Sequence, residues 1–244
     1  MVSDLIYRLL PACTLSCEFC RVWQNPIHEQ DYLPLADAIQ DLKMLSSRPR
    51  ALHLGGGDPL LYPHIEELLS AVRSWFTSVR VYTPGLTYLA LAEKLRPHDC
   101  EICFVFNHPS EADNNRIGGE YHFNVLRGAV AKARSIGQAA RLVLLAHCES
   151  ALVLPEAEEL ARSWGVPLEI RPVHWYMAGG RLEGETLAYI KRYVRTPGVE
   201  LWPAELRPRE GDFPNTRCLG LPARPRGAWK KFSRLLMRRG LISA

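Results

Sequence analysis

The sequence reads as an α/β protein with a parallel sheet, built from about six strand–helix steps and a C-terminal extension. Two observations carry this. Short apolar runs of strand length alternate with stretches whose apolar residues recur at helical spacing, which is the pattern of βα units rather than of hairpins. The chain has 244 residues, 47% hydrophobic and 23% charged, which is ordinary globular material about the size of one βα barrel.

The elements follow in order. The first strand covers about Asp4 to Leu10, and a helix near Pro34 to Leu45 places Leu35, Ile39, Leu42 and Leu45 on one face. Ala51 to Leu54 is a short second strand entering a glycine turn, and the helix from Pro63 to Phe76 buries Ile65, Leu68, Leu69 and Val72. The third strand, Val79 to Tyr82, ends at Thr83-Pro84-Gly85, and its helix from Tyr88 to Leu95 stops before Pro97. The fourth strand, Glu101 to Phe106, opens into a polar loop through Gly118-Gly119. The next helix, Phe123 to Ser135, is capped by Gly137. Ala140 to Ala146 is the fifth strand, Leu154 to Trp164 its helix, and Leu168 to Val173 the sixth strand. Beyond Gly180 a helix over 185–194 precedes an irregular stretch with six prolines from Pro197 to Pro225, then a last helix over 228–239. The expected division is a βα unit over 1–180 and an extension over 181–244.

Charge is unevenly placed. The net charge is +4, yet from Leu221 onward there are seven basic residues and no acidic ones. The segment Ala228 to Arg239 sets Trp229, Phe232 and Leu236 on one helical face, and it is expected to dock that stripe on protein with its charge outward. Nucleic acid is not the expected partner. No run approaches the roughly 18 apolar residues of a membrane span, and the N-terminus lacks a signal-peptide pattern, so the expected location is cytoplasmic. Seven cysteines, an odd number, argue against a disulfide framework.

The chemistry concentrates in Pro11-Ala-Cys13-Thr-Leu-Ser-Cys17-Glu-Phe-Cys20, just after the first strand. Thiolates are soft ligands that select zinc, copper(I) or iron–sulfur iron. A structural zinc site is normally closed by four ligands, and no Cys or His follows Cys20 until His28. Three thiolates and no near fourth suit a cubane cluster with one open iron. A zinc-binding, nucleic-acid-binding module is the alternative from another class. After the second strand comes Leu54-Gly55-Gly56-Gly57-Asp58-Pro59, which has no lysine and is therefore no P-loop.

These two motifs, in this order, resemble the radical S-adenosylmethionine (SAM) enzymes, which pair C-x3-C-x2-C with a Gly-Gly-Glu-Pro-like segment; here Asp58 replaces the Glu. The resemblance covers about residues 4 to 175. It implies a partial (βα)6 TIM-like barrel in which Cys13, Cys17 and Cys20 hold three irons of a [4Fe–4S] cluster. SAM would bind the fourth iron, and an electron from a donor such as flavodoxin or ferredoxin would cleave it to methionine and a 5′-deoxyadenosyl radical. That radical takes hydrogen from a small-molecule or peptide substrate. The resemblance further implies that Phe19 lies against adenine and that Gly56, Gly57 and Asp58 meet the SAM ammonium. Thr83 and Asn107 would make ribose or carboxylate contacts, and Arg141 would fork onto the SAM carboxylate. His108, His147, Cys148 and His174 fall past strand ends, where substrate should sit, and His147, Cys148 and His174 are the catalytic candidates. Cys100 and Cys103 sit at the opening of strand four and read as buried thiols. Chain length alone also suggests a likeness to the 7-carboxy-7-deazaguanine synthases.

Overall fold

Among the described residues seven parallel strands, hydrogen-bonded in sequence order, make one sheet: β1 (Asp4–Arg8), β2 (Ala51–Gly55), β3 (Ser78–Thr83), β4 (Glu101–Phe106), β5 (Ala140–Ala146), β6 (Leu168–Pro172) and β7 (Val199–Leu201). The computed structural model describes residues 4–20, 22–24, 32–47, 51–146, 150–172 and 199–201. His147, Cys148, His174, Cys218 and the helices expected over 185–194 and 228–239 lie outside the described residues. The chain divides into two compact units, Ser3–Trp202 and Pro203–Ala244, and every described residue belongs to the first.

The first six strands are those expected from the sequence, and with their helices they form a curled partial TIM-like barrel. Helices α1 (Leu35–Leu45), α2 (Ile65–Val72), α3 (Leu86–Leu95), α5 (His122–Ser135) and α6 (Leu154–Ser163) return the chain between strands. Two elements differ from expectation. The loop after β4, read as polar and irregular, contains α4 (Glu111–Gly118), whose composition hides it because only Ile117 is a large apolar residue. Its start is capped by the Ser110 hydroxyl, which accepts from the Asp113 N–H at 3.5 Å. The second is β7, which lies in the proline-rich stretch and pairs with β6 from Leu168↔Val199 to Ile170↔Leu201. It carries the sheet past residue 180.

Side chains alternate across the sheet. One set, including Leu52, Leu54, Val81, Ile102, Phe104, Phe106, Leu142, Leu144 and Ile170, packs against the helices as a single apolar core. The alternate set faces the other way and carries a polar cluster, His53, Arg80, Tyr82, Glu101, Arg141, Glu169 and Arg171 with the Cys103 thiol among them, beside the apolar Val105, Val143 and Leu145. Arg141 and Glu169 are buried and Arg80, Glu101 and Arg171 part-buried, which is tolerable only if they pair. Arg80 meets Glu101 at 2.8 Å, Arg141 meets Glu101 at 2.9 Å and Glu169 at 3.5 Å, and Arg171 meets Glu169 at 2.6 Å. The Arg171 guanidinium also stacks 3.5 Å from the Tyr82 ring centre. Burial, and then the neighbouring arginines, push His53 down to about 3, so it sits in this network as a neutral ring, 2.8 Å from the Tyr82 hydroxyl. Among the described residues no helix is long and apolar enough to cross a membrane.

Candidate active site

The C-terminal ends of β1 and β2 lie side by side, because the two strands pair from Asp4↔Ala51 to Arg8↔Gly55. The cysteine loop therefore leaves the sheet beside the glycine turn, and the two interlock. Leu9 N–H donates to Gly55 O at 3.0 Å, and Asp58 N–H donates to Ala12 O at 2.7 Å. Gly56 adopts φ +122°, a conformation reserved for glycine, and a Cβ there would stand 2.7 Å from Leu10 O. At Gly57 a Cβ would stand 1.9 Å from Ala12 O. Gly56 and Gly57 thus let the cysteine loop lie directly on the second βα turn.

Asp58 follows, wholly buried. Its Oδ1 accepts from Leu60 N–H at 3.2 Å, capping the single turn Pro59–Leu61, and its Oδ2 accepts from the Thr87 hydroxyl at 2.7 Å. Thr83 supplies a further hydrogen bond to this carboxylate, and its Oγ1 accepts from Gly85 N–H at 3.1 Å. Burial nevertheless raises Asp58 to about 6. Asp58 and Thr83 are therefore engaged with each other and with the α3 start.

The cysteine loop is gripped from its other side by α4. Ser16 N–H donates to Gly118 O at 3.4 Å and Glu18 N–H to Ile117 O at 3.1 Å, which uses the open carbonyls of the helix C-terminus. Phe19 and Cys17 pack on Ile117, with Leu15, Cys20 and Leu145 beside them. Phe19 is 6% exposed, so in this state its ring is part of that packing.

Cys13, Cys17 and Cys20 carry free thiols. They are near enough to act on one another: burial raises Cys13 well above the ordinary thiol range, and Cys17, Asp58 and Cys20 add to it. Burial, then Cys20, push Cys17 up to about 12. Among the described residues no three His, Cys, Asp or Glu side chains converge as one metal ion would require. Two N–H groups point at the sulfurs, Leu15 N at 3.5 Å from Cys13 Sγ and Asn107 Nδ2 at 3.6 Å from Cys17 Sγ.

Arg141, expected to fork onto the SAM carboxylate, is paired here with two acidic side chains. It is the second residue of β5, deep in the barrel, and Glu101 and Glu169 hold its guanidinium. A strand position read from sequence gives the face but not the depth, and here the buried Glu169 and the part-buried Glu101 take up the guanidinium. Asn107, expected among the ribose or carboxylate contacts, stands with its Nδ2 3.6 Å from Cys17 Sγ. Cys100 and Cys103 are buried, as expected. What sequence reading missed is the α4 platform, whose trace is the Ser110 cap and the Asn114–Asn115 pair.

Residues 7–148 match the family model of the Radical SAM superfamily, which is more than half of the chain. The chain belongs to the radical SAM superfamily. The radical SAM relatives include the PqqA peptide cyclase of Gluconobacter oxydans (strain 621H), 28% identical over 183 residues, 71% of this chain and 50% of that protein. Among solved structures, Streptococcus suis SuiB bound to precursor peptide SuiA superposes with a TM-score of 0.65 at 13% identity, covering 82% of this chain and 49% of that one. Native anSMEcpe with bound AdoMet and Cp18Cys peptide gives 0.61 at 10% identity, over 81% and 62%. At these identities the solved structures establish the fold. The chain spans about half the length of the curated relative and of SuiB. It carries the motifs and barrel of a radical SAM enzyme, a family whose members use an iron–sulfur cluster and SAM.

Proposed function

We propose that this chain binds a [4Fe–4S] cluster through Cys13, Cys17 and Cys20, cleaves SAM reductively and takes hydrogen from a peptide substrate. The observation that carries the cluster assignment is the interlocked pair of loops. Three soft donors lie on one short segment held over the ends of β1 and β2, and two N–H groups already face their sulfurs. A cubane takes one thiolate per iron, so its ligands stand wider apart than those of a single zinc ion, in keeping with thiols that couple without converging. When bound, the cluster and SAM supply the one-electron chemistry that generates a hydrogen-abstracting radical.

The chain's own residues position and shield. Gly56 and Gly57 keep the second turn flat against the cysteine loop, Phe19 seals the loop on α4, and Asp58 and Thr83 lock the turn from beneath. A peptide is favoured over a small molecule because PqqA peptide cyclase and the peptide-bound SuiB and anSMEcpe all act on or hold peptides. His147, Cys148 and His174 are retained as the residues that would meet that substrate, and flavodoxin or ferredoxin as the electron source.

The test is anaerobic reconstitution followed by iron, sulfide and 5′-deoxyadenosine analysis with dithionite as reductant. Brown protein with about four irons per chain that releases 5′-deoxyadenosine is expected, and replacing any one of the three cysteines by Ala should stop the release. Colourless, zinc-loaded protein would end this reading.

A further inference from the structure

Asn107 closes β4 with its side chain buried and its Nδ2 3.6 Å from the Cys17 sulfur. Its backbone is held from behind. The backbone N–H groups of Asn107 and His108 both donate to Asn114 Oδ1, at 2.9 and 3.4 Å, pinning the strand end to α4. Asn114 is itself wholly buried, and its Nδ2 stands 3.0 Å from His122 Nδ1 at the start of α5. Burial lowers His122 to about 4, so the ring is neutral near pH 7 and its Nδ1 accepts from that amide. Gly118 leaves the room this needs, since a Cβ there would stand 2.8 Å from both Asn107 Nδ2 and His122 Nδ1.

The geometry points to Asn107 as a residue that tunes the reduction potential of the cluster by donating to the Cys17 sulfur, with Asn114 and His122 as the positioning residues behind it. This rests on the cluster assignment proposed above. Hydrogen bonds to cluster sulfurs are one of the ways a protein sets the potential, because a donor stabilises the state that carries more negative charge. The series Cys17–Asn107–Asn114–His122 joins the cysteine loop, the end of β4, α4 and α5, with the Asn107 backbone held by Asn114 and the Asn114 amide by His122. Removing the Asn107 donor leaves the added electron less stabilised, and the couple moves to more negative potential.

The experiment uses reconstituted full-length holoprotein without SAM. The midpoint potential is followed by EPR of the reduced cluster in the wild type, Asn107→Leu and Asn114→Leu. Both variants should titrate at more negative potential, with Asn114→Leu between Asn107→Leu and the wild type, while iron stays near four per chain. A merely structural role would alter iron retention and leave the potential of the intact cluster where it was. Wild-type protein grown on ¹⁵N-asparagine should also show a ¹⁵N coupling to the reduced cluster by pulsed EPR, a measurement that stands even where a variant fails to hold iron. A four-iron cluster without that coupling, or with an unshifted midpoint in Asn107→Leu, overturns the inference. A wild-type chain that takes up no four-iron cluster defeats the cluster assignment instead.

Discussion

Gly57 lies so close to Ala12 that a Cβ on Gly57 would stand 1.9 Å from the Ala12 carbonyl oxygen, with its carbonyl carbon at 2.5 Å. Backbone rather than a yielding side chain fills that space, so the two loops can keep their contact only while residue 57 is glycine. Gly57→Ala should displace the cysteine loop, cost about 1–3 kcal/mol as overpacking does, and lower iron retention after reconstitution. Gly55 is the control, because a Cβ there meets nothing within 4 Å. Equal iron content and equal urea midpoints for Gly57→Ala and Gly55→Ala would show that the interlock is not needed.

Asp58 gives a pH signature. Its folded-state pKa is raised by burial from 3.8 to about 6, so the folded chain holds the proton more tightly than the unfolded chain across that window. The stability linked to this proton is present below about pH 4 and is lost as pH rises through 6. The loss is about 2–3 kcal/mol for a shift of this size. Asp58→Asn keeps the acceptor for Leu60 N–H and has no charge to bury. Its stability relative to the wild type should therefore grow between pH 4 and 7, as read by thermal or urea unfolding of the apo chain. Parallel pH curves for the two proteins would refute the shift.

Glu169 anchors the interior charges, meeting Arg171 at 2.6 Å, Arg141 at 3.5 Å and Arg80 at 3.7 Å. Glu169→Gln leaves one buried guanidinium, Arg141, and two part-buried ones, Arg80 and Arg171, with Glu101 as the remaining carboxylate in this cluster. Breaking a buried ion pair from one side costs about 3–5 kcal/mol, and a loss of that order in urea unfolding is expected. A change below about 1 kcal/mol would mean that water already screens the network.

Gly128 sits inside α5, and a Cβ there meets nothing within 4 Å. Gly128→Ala should stabilise the chain by about 0.5–1 kcal/mol through helix propensity and reduced freedom of the unfolded state. A melting temperature at or below that of the wild type would contradict this.

The strands, the helices that return between them and the loops that carry the chemistry were legible from the sequence, for a local reason. A strand buried on both faces presents apolar residues in a short continuous run, as in Leu142-Val143-Leu144, and a helix must repeat them every third or fourth position, as in Ile65, Leu68, Leu69 and Val72. The cysteine spacing and the triple glycine are likewise properties of neighbours in the chain. Tertiary structure alone decided what those parts meet. Arg141 is apolar-flanked and polar in the sequence, and only the register of β4, β5 and β6 brings Glu101 and Glu169 to it. Helix α4 has one large apolar residue, so periodicity could not reveal it, and it exists because its carbonyls and Ile117 have the cysteine loop to hold. Asn107 reaches Cys17, 90 positions away, through the closeness of the β1 and β4 loop ends, which is a property of the curled sheet and of no local segment.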